Sequence, residues 1–353
     1  MQLTLLVPEL IWPEPADTLA LGQLAAPGFE WLDAHGAMLR SPRQAFEQAL
    51  ADVFGQTNSP YGALRVLGEP AGIDSNAARD GVWLCADPVH LRFHHERIVL
   101  ADAGAFEISE EEAATLVADL NREFADVGSF YTATARRWYL KLSPAVNPEF
   151  CPKSASAIAP LSAIAGRRID GDLDGKPTAI TRWLNEVQMF LHLNPVNEAR
   201  QMKGQPAINS LWLWGPGALP APADPGYAAV WSRNPLAAGF ARAAGIPNRP
   251  QPKTLADLLA HASDDAQLVV LDELLGPVLY EAAEDWRSKF ETLERDWLQP
   301  LRAALGGPLT QVTLIAPTIY GKLQWTISRG ERWKFWKKGQ PVTMLARQLA
   351  EAA

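Results

Sequence analysis

The chain has 353 residues, of which 48% are hydrophobic and 20% are charged, and its formal net charge is -8 at pH 7. This composition is typical of a folded globular protein, and the length predicts two domains rather than one. An acidic chain lacks the basic surface that contacts with nucleic-acid phosphates require, so general nucleic-acid binding is excluded.

The chain carries no signal for a disulfide framework or for a membrane. Cys85 and Cys151 are too few for such a framework and stand in no zinc-binding spacing. No uncharged run is long enough to cross a bilayer, and residues 1–12 lack the basic start and the cleavage site of a signal peptide. We therefore expect a cytoplasmic protein that does not contact membranes.

The N-terminal part predicts a buried strand and two helices. Residues 3–7 form an apolar run that Pro8 ends. Ser41 and Pro42 are typical of a helix start, which predicts a helix over residues 41–54. A short helix over 62–67 and a linker follow.

Residues 81–205 predict an α+β unit. Apolar runs and alternating patterns predict strands over 82–85, 89–93, 98–100, 130–134 and 138–142, the last two as a hairpin. Ser109 and Glu112 have the spacing of a capping box at the start of a helix. Apolar residues with helical spacing predict a further helix over 177–192.

After residue 206, short apolar strands alternate with helices. The predicted strands are 211–214, 228–231, 268–271 and 312–315, and the predicted helices are 235–244 and 278–298. This alternation predicts an α/β fold with a mostly parallel sheet that helices cover on both faces. The strands of this sheet then come from both ends of the chain. We predict a discontinuous core domain of residues 1–78 and 206–353 and an inserted α+β domain of residues 79–205.

The most informative motif is the segment 194–217, which reads N-P-V-N-E-A-R-Q-M-K-G-Q-P-A-I-N-S-L-W-L-W-G-P-G. Its polar side chains precede a predicted strand, and they include Asn197, Arg200, Lys203 and Asn209. Gly215-Pro216-Gly217 is expected to end that strand. Guanidinium and amide groups near strand ends suit a carboxylate or a phosphate, whereas the alternative is an ordinary solvated loop.

Four segments resemble the archaeal-type, cofactor-independent phosphoglycerate mutases of the alkaline phosphatase superfamily. The segment 194–217 is similar to that family's H-P-V-N-x-x-R-x-x-x-G-x-x-x-A-N-x-I-W-L-W-G-x-G. The other three, in the family's order, are P-G-F-E-W-L-D-A-H-G at 27–36, S-P-Y-G-A-L-R-V-L-G at 59–68 and a helical segment at 103–121. The chain is still more similar to bacterial regulatory proteins of the RpfE type, a divergent branch.

The resemblance implies an alkaline-phosphatase-like fold and a set of site residues. It implies that Ser59 stands where the family has the serine that accepts and returns a phosphoryl group. It also implies that Asn197, Arg200 and Asn209 belong to the segment that leads to the substrate cleft.

The ligands of the family's two divalent cations are missing from this chain. The resemblance predicts aspartates and histidines after three strands. The chain instead has Glu9 after the first, Asp272 and Glu273 after the second, and residues 316–318 (A-P-T) after the third. No histidine follows His261, and histidine is a natural nitrogen ligand of zinc and manganese. We therefore predict no metal site and no cofactor.

These observations favour a degenerate relative of the mutases. Pro60 replaces the acidic neighbour of the serine at position 59, and a serine without a metal or a base stays protonated and inert. The leading hypothesis is a non-catalytic or regulatory protein that binds a small phosphorylated or carboxylated ligand or a protein partner. The alternative is an active phosphoryl-transfer enzyme that uses Ser59 with a site rebuilt around Glu9, Asp272 and Glu273.

Two other polar clusters are expected to be structural. His90, His94 and His95 lie on predicted strands, where alternation turns the last two to opposite faces. The run R-I-D-G-D-L-D-G at 168–175 resembles a calcium loop, but Thr181 stands where the glutamate ligand belongs. A solvated acidic turn is therefore expected there.

The segment 321–339 interleaves basic and aromatic residues. Its pattern predicts a hairpin of 322–328 and 332–337 that turns at Arg329-Gly330. The hairpin either packs its aromatic side chains on the core or offers a basic aromatic patch for a phosphate, a polyanion or a protein partner. A third hypothesis is therefore a protein-interaction module built on this segment.

Overall fold

The computed structural model describes residues 1–57, 59–94, 97–146, 159–164, 178–219, 221, 224–331, 336–337 and 339–352. The chain divides into two compact units. The first comprises Met1–Phe54, Asp224–Ala237 and Ala244–Ala353, and the second comprises Gly55–Ala223 and Ala238–Ala243. Residues 55–78 and 206–223, which the sequence assigns to the core domain, fall in the second unit in this division.

The first unit is built on a mostly parallel sheet. Its strands are β1 (Gln2–Leu6), β2 (Ala37–Ser41), β8 (Ala229–Trp231), β9 (Asn248–Arg249), β10 (Gln267–Val270), β11 (Gln311–Thr318) and β12 (Gly321–Ser328). Their order is β2-β12-β11-β1-β10-β8-β9. All pairs from β11 to β9 are parallel, whereas β12 is antiparallel to both β11 and β2. The predicted α/β fold with a mostly parallel sheet is confirmed.

Helices accompany this sheet along the chain. They are Thr18–Leu21, Pro27–His35, Phe46–Val53, Leu255–His261, Leu275–Leu279, Ala283–Leu293, Gln299–Ala304 and Val342–Glu351, with a π-helical turn at Glu294–Leu298. The helix Pro235–Ala243 begins in the first unit, and its residues 238–243 are assigned to the second. Large side chains from both layers, including Phe29, Trp286, Phe290 and Trp325, are fully buried.

Two helix predictions in the first unit are wrong in their bounds. Ser41 ends strand β2, which the sequence analysis missed, and the helix that follows begins only at Phe46. The predicted helix 278–298 is interrupted where Glu281 adopts a left-handed φ of 54°. An L-residue in that conformation cannot continue a right-handed helix.

The second unit contains an antiparallel sheet. Its strands are β3 (Trp83–His94), β4 (Arg97–Asp102), β5 (Gly128–Thr134), β6 (Arg137–Leu142) and β7 (Ser210–Gly217). The order is β4-β3-β6-β5, and β7 also pairs with β3. The main helices are Tyr61–Gly68, Glu110–Glu123, Thr178–His192 and Pro195–Met202, with short ones at Ser75–Arg79 and Leu161–Ile164. The predicted hairpin and the Ser109–Glu112 capping box are confirmed.

Strand β7 differs from its prediction. It runs antiparallel to β3 and continues to Gly217 instead of ending at Gly215. The backbone of Gly215 has a φ of 61°, and the pairing register shifts between Trp83 and Cys85. The glycine therefore serves as a bulge within the strand rather than as its end.

Several predictions lie outside the described residues. These are the acidic turn at 170–174, the histidine at 95, and most of the predicted strand 332–337. Within the described part of the chain, no helix combines the length and the apolar character needed to span a membrane.

Candidate functional site

The parallel strands of the first unit bring polar side chains to one sheet edge. Strands β11, β1, β10 and β8 are successive neighbours and run in the same direction. At or just beyond their carboxyl ends lie Thr318, Glu9, Asp272 and Asn234. This carboxyl edge is where open α/β sheets bind ligands.

Glu9 is a buried carboxyl group at this edge. The residue is 9% exposed, and its Oε2 atom has no hydrogen-bond partner among the described residues. Burial raises the pKa of Glu9 to about 7, although the charge of Arg43 and a hydrogen bond from the backbone of Ile319 act to lower it. Burial therefore shifts this carboxyl group toward its protonated form relative to a glutamate in water.

The backbone of Glu9 is fixed by two hydrogen bonds. Its N–H donates to the Pro317 carbonyl over 2.8 Å, and its carbonyl accepts from Trp286 Nε1 over 3.0 Å. The residue adopts a left-handed φ of 54°, which is strained for a side chain other than glycine. The surrounding contacts hold that conformation.

Asp272 is bound by a neighbouring amide. Asn234 Nδ2 donates to Asp272 Oδ2 over 2.7 Å, while Asn234 Oδ1 accepts from Leu236 N–H over 2.9 Å and so caps the helix that follows. Burial raises the pKa of Asp272, and the Asn234 hydrogen bond opposes that rise. Asn234 thus occupies an oxygen that could otherwise bind a cation.

Glu273 is bound in the same way. Its Oε1 accepts from Arg233 Nη2 over 2.8 Å and from Gln251 Nε2 over 2.6 Å. At the end of β11, the Thr318 hydroxyl donates to the Gly321 carbonyl over 3.0 Å. Thr318, Asp272 and Glu273 lie at or just beyond the ends of the two strands next to β1, and their side-chain oxygens therefore already form hydrogen bonds within the protein.

This set of side chains does not fit a two-cation centre. In the part of the chain that the structure describes, no three or more His, Cys, Asp or Glu side chains converge to hold a metal ion. Two of the three acidic groups at the edge, Asp272 and Glu273, accept hydrogen bonds from protein donors. No catalytic step through a metal follows from these residues.

Ser59 lies in the second unit and is 1% exposed. Its hydroxyl donates to Gln56 Oε1 over 3.4 Å, a long hydrogen bond to an amide oxygen. An amide oxygen does not take up the proton of a hydroxyl group, so this contact does not activate the serine as a nucleophile.

Asn197 binds the backbone on both sides of its loop. Its Nδ2 donates to the carbonyls of Leu191 and Ile208 over 2.8 and 2.9 Å, and its Oδ1 accepts from Ile208 N–H over 2.7 Å. Asn209 similarly pairs with both backbone groups of Leu91, over 2.7 and 2.8 Å. Both amide side chains therefore fix the loop.

Arg200 is 1% exposed and uses all three guanidinium nitrogens. It donates to the carbonyls of Pro206 and Glu107 and to Glu112 Oε2, each over 2.8 Å. Lys203, at the end of the same helix, is exposed. The substrate-binding role of these four residues stays a prediction, and among them Lys203 has the side chain most available to solvent.

A buried ion pair that sequence analysis missed also lies in the second unit. Arg65 donates to both oxygens of Asp87, over 2.9 and 2.6 Å, and Trp214 Nε1 donates to Asp87 Oδ2 over 2.8 Å. The guanidinium group stacks 4.7 Å from the Tyr139 ring centroid. These contacts join helix Tyr61–Gly68 to β3 and β7, and no local spacing signals them.

The three polar partners at the sheet edge were also missed. Arg233, Asn234 and Gln251 are ordinary loop residues by composition. Only Asn234 carries a signal, because an asparagine directly before Pro235 is typical of a helix N-cap.

The segment 321–339 contributes mainly to internal packing where it is described. Lys322 pairs with Asp52 over 2.7 Å, and the buried Trp325 donates to Asp33 Oδ1 over 3.0 Å. Its first predicted strand is confirmed as β12, although β12 pairs with β11 and β2. Partner binding through this segment stays a prediction.

The fold and the edge define an α/β protein whose mostly parallel sheet presents carboxyl groups, among them the buried Glu9, at its carboxyl edge. No family model matches the chain. The chain is 31% identical over 152 residues to the 2,3-bisphosphoglycerate-independent phosphoglycerate mutase of Methanosarcina barkeri, and 31% identical over 150 residues to that of Methanosarcina mazei. Each match covers 41% of this chain but only 36% of the relative. The chain is therefore homologous to the cofactor-independent mutases at low identity, over part of its length.

Solved structures match over nearly the whole chain. The PH0037 protein from Pyrococcus horikoshii has a TM-score of 0.54 at 14% identity, and the alignment covers 99% of this chain and 95% of that one. The cofactor-independent phosphoglycerate mutase from Thermoplasma acidophilum gives a TM-score of 0.45 at 16% identity, with 99% of both chains covered. The first of these likenesses supports the fold alone.

Proposed function

We propose that this chain is a phosphoglycerate-mutase-like protein without two-cation catalysis, which binds a small phosphorylated or carboxylated ligand or a protein partner in a regulatory role. The observation that carries the proposal is the hydrogen bonding of two acidic groups at the carboxyl edge. Asp272 and Glu273 accept hydrogen bonds from protein donors, Asp272 from Asn234 and Glu273 from Arg233.

The proposal combines a retained fold with a changed site. The RpfE-type resemblance predicted from the sequence implies a regulatory role, which is part of the proposal. Ser59 is buried, and its hydroxyl donates to the amide oxygen of Gln56, which cannot act as a base; these contacts among the described residues support the absence of phosphoryl transfer.

A binding position within the first unit is available at the same edge. The side chain of Arg233 is 72% exposed although it pairs with Glu273. Its guanidinium group can therefore also bind an anion from solvent. The parallel N–H donors of a guanidinium group suit a carboxylate or a phosphate. Because the homologous proteins are phosphoglycerate mutases, 3-phosphoglycerate is the first ligand to test.

Isothermal titration calorimetry with 3-phosphoglycerate tests the binding half of the proposal. Binding to the wild type, lost in Arg233→Ala and kept in Lys203→Ala, is the expected result. Loss in Lys203→Ala instead would place the ligand at the loop of residues 194–209. The small-ligand form of the proposal is wrong if the wild type binds no phosphorylated or carboxylated three-carbon acid.

A second candidate is an active phosphoryl-transfer enzyme whose site is rebuilt around Glu9, Asp272 and Glu273 at the carboxyl edge. The raised pKa values of Glu9 and Asp272 favour it, because perturbed carboxyl groups cluster at functional sites. Elemental analysis of the purified protein separates the candidates. Two stoichiometric transition-metal ions would favour the enzyme, and substoichiometric metal would favour the binding protein.

A further inference from the structure

Arg233 has a neighbour of the same charge on the next strand of the sheet. Strand β9 is parallel to β8, and its register pairs Arg249 with Trp231. The pairing continues past the end of β8, because Ser232 N–H donates to the Arg249 carbonyl over 3.1 Å and Arg233 Nε donates to Gln251 Oε1 over 3.3 Å. Since alternate residues of a strand share a face, Arg249 and Arg233 lie on one face, two residues or about 7 Å apart along the strand direction.

Each of these two guanidinium groups is held by a contact of its own. Arg233 pairs with Glu273 over 2.8 Å, and 72% of its side chain stays exposed. The guanidinium carbon of Arg249 lies 5.3 Å from the centroid of the Trp231 ring. That ring is fixed in turn by a 2.8 Å hydrogen bond from Trp231 Nε1 to Gln267 Oε1. A guanidinium group that is already ordered loses less entropy on binding a ligand than a free one.

The backbone around Arg249 is stiffened by prolines. Residues 247–252 read P-N-R-P-Q-P, so Arg249 directly precedes one proline and Gln251 stands between two. Proline fixes its own φ and holds the residue before it in an extended conformation. Arg249 is exposed on this segment. A charged side chain that faces solvent from a rigid loop is well placed to bind a ligand.

The ends of β8, β9 and β10 and the loops that follow them carry more positive than negative charge. Their basic residues are Arg233, Arg249 and Lys253, and their acidic residues are Asp272 and Glu273. Glu273 already pairs with Arg233. The excess of positive charge suits a phosphate monoester, whose charge is about -2 near pH 7, better than a singly charged carboxylate.

We propose that Arg249 is a second anion-binding residue beside Arg233, and that the two arginines together select a phosphate monoester over a lone carboxylate. This assignment rests on the proposed function, because it places the small anionic ligand at Arg233. One guanidinium group can occupy both oxygens of a carboxylate, whereas a phosphate monoester has a third oxygen for a second guanidinium group. The second arginine therefore adds affinity for the phosphate in particular.

Isothermal titration calorimetry of the full chain with three ligands tests the assignment. The ligands are 3-phosphoglycerate, glycerol 3-phosphate, which lacks the carboxylate, and glycerate, which lacks the phosphate. We expect the wild type to bind both phosphorylated compounds and to bind glycerate at least about tenfold more weakly. Arg249→Ala should weaken the binding of both phosphorylated compounds by at least about tenfold.

Two further variants serve as controls. Arg302→Ala should bind like the wild type, because Arg302 is also an exposed arginine of the first unit, in the helix Gln299–Ala304. Arg249→Lys keeps the charge but loses the planar pair of donors, so its affinity should fall between those of the wild type and Arg249→Ala. Thermal unfolding of each variant checks that its fold is kept.

The outcomes separate this assignment from the proposed function. Unchanged binding in Arg249→Ala, or glycerate bound as tightly as 3-phosphoglycerate, would overturn the assignment and leave the proposed function standing. Phosphate binding that is lost in Lys203→Ala and kept in Arg249→Ala would also overturn it. A wild type that binds none of the three ligands would overturn both the assignment and the small-ligand form of the proposed function.

Discussion

The side-chain amide of Asn234 donates a 2.7 Å hydrogen bond to Oδ2 of Asp272 at the carboxyl edge of the sheet. The same asparagine caps the helix Pro235–Ala243 through its other side-chain atom. One residue thus both starts the helix and occupies an oxygen of the aspartate. Where metal chemistry would need free acidic ligands, Asp272 and Glu273 at this edge accept hydrogen bonds from protein donors.

Replacing this asparagine by aspartate should create a cation site where the wild type has none. Asn234→Asp keeps the N-cap, since both residues cap well, but places two carboxylates within hydrogen-bond distance. We expect Mn²⁺ to raise the melting temperature of this variant and to leave that of the wild type unchanged, as measured by thermal unfolding. Asn234→Ala is the control, which should lose about 1 kcal/mol of stability and show no response to Mn²⁺. An equal response of the wild type would contradict the assignment.

Glu9 should make stability fall as the pH rises. Its pKa is raised from 4.5 to about 7 in the folded protein, so between these values the folded state holds more protons than the unfolded one. The stabilising contribution is complete below about pH 4.5 and is lost as the pH rises through 7. The difference corresponds to about 3 kcal/mol in the free energy of unfolding.

Urea unfolding at pH 5 and pH 8 measures this effect. Glu9→Gln should be less sensitive to pH than the wild type. Glu281→Gln is a matched control, because Glu281 has the same left-handed φ of 54° but is exposed. An unchanged pH dependence in Glu9→Gln would show that its carboxyl group is not the one responsible.

The loop of residues 194–209 should prove to be structural at Asn197. Asn197→Ala leaves the carbonyls of Leu191 and Ile208 and the N–H of Ile208 without their partner. We expect a loss of at least about 2 kcal/mol in the free energy of unfolding, because buried backbone groups without hydrogen bonds are costly. Lys203→Ala, an exposed position in the same segment, should change stability by less than about 0.5 kcal/mol. Equal stability of the two variants would contradict this role.

Gly28 should not tolerate a side chain. Glu294, from the π-helical turn, accepts the N–H groups of Gly28 and Phe29 over 2.5 and 3.0 Å and so caps the helix Pro27–His35. A Cβ atom at Gly28 would lie 2.4 Å from the Gln299 nitrogen and 2.6 Å from the Leu298 carbonyl carbon. Gly28→Ala should therefore lower the melting temperature clearly, whereas Gly276→Ala, which meets nothing within 4 Å, should not. Comparable melting temperatures for the two variants would contradict this packing.

The sequence was sufficient to predict the parallel strands β1, β8, β10 and β11, because each is a short apolar run between helices or loops. Strand β2 was missed, since Ser41-Pro42 is also typical of a helix start and the exposed strand has no alternating apolar pattern. Strand β7 was assigned to the wrong sheet because an apolar run does not specify its partner.

Side-chain roles were harder to predict than the fold. The polar residues between 197 and 209 suit an anion in their chemistry, yet Asn197, Arg200 and Asn209 bind backbone groups that are distant in sequence. Asp272 and Glu273 were expected at the sheet edge, but their partners Asn234, Arg233 and Gln251 come from other loops. Such contacts depend on tertiary structure and leave no local pattern.

The most direct test of the account is an assay of 3-phosphoglycerate and 2-phosphoglycerate interconversion by the purified wild type, with Mn²⁺ or Zn²⁺ added. We predict no turnover above that of a Ser59→Ala variant under any of these conditions. Metal-dependent turnover by the wild type that Ser59→Ala abolishes would contradict the account and establish the chain as a mutase with a rebuilt site.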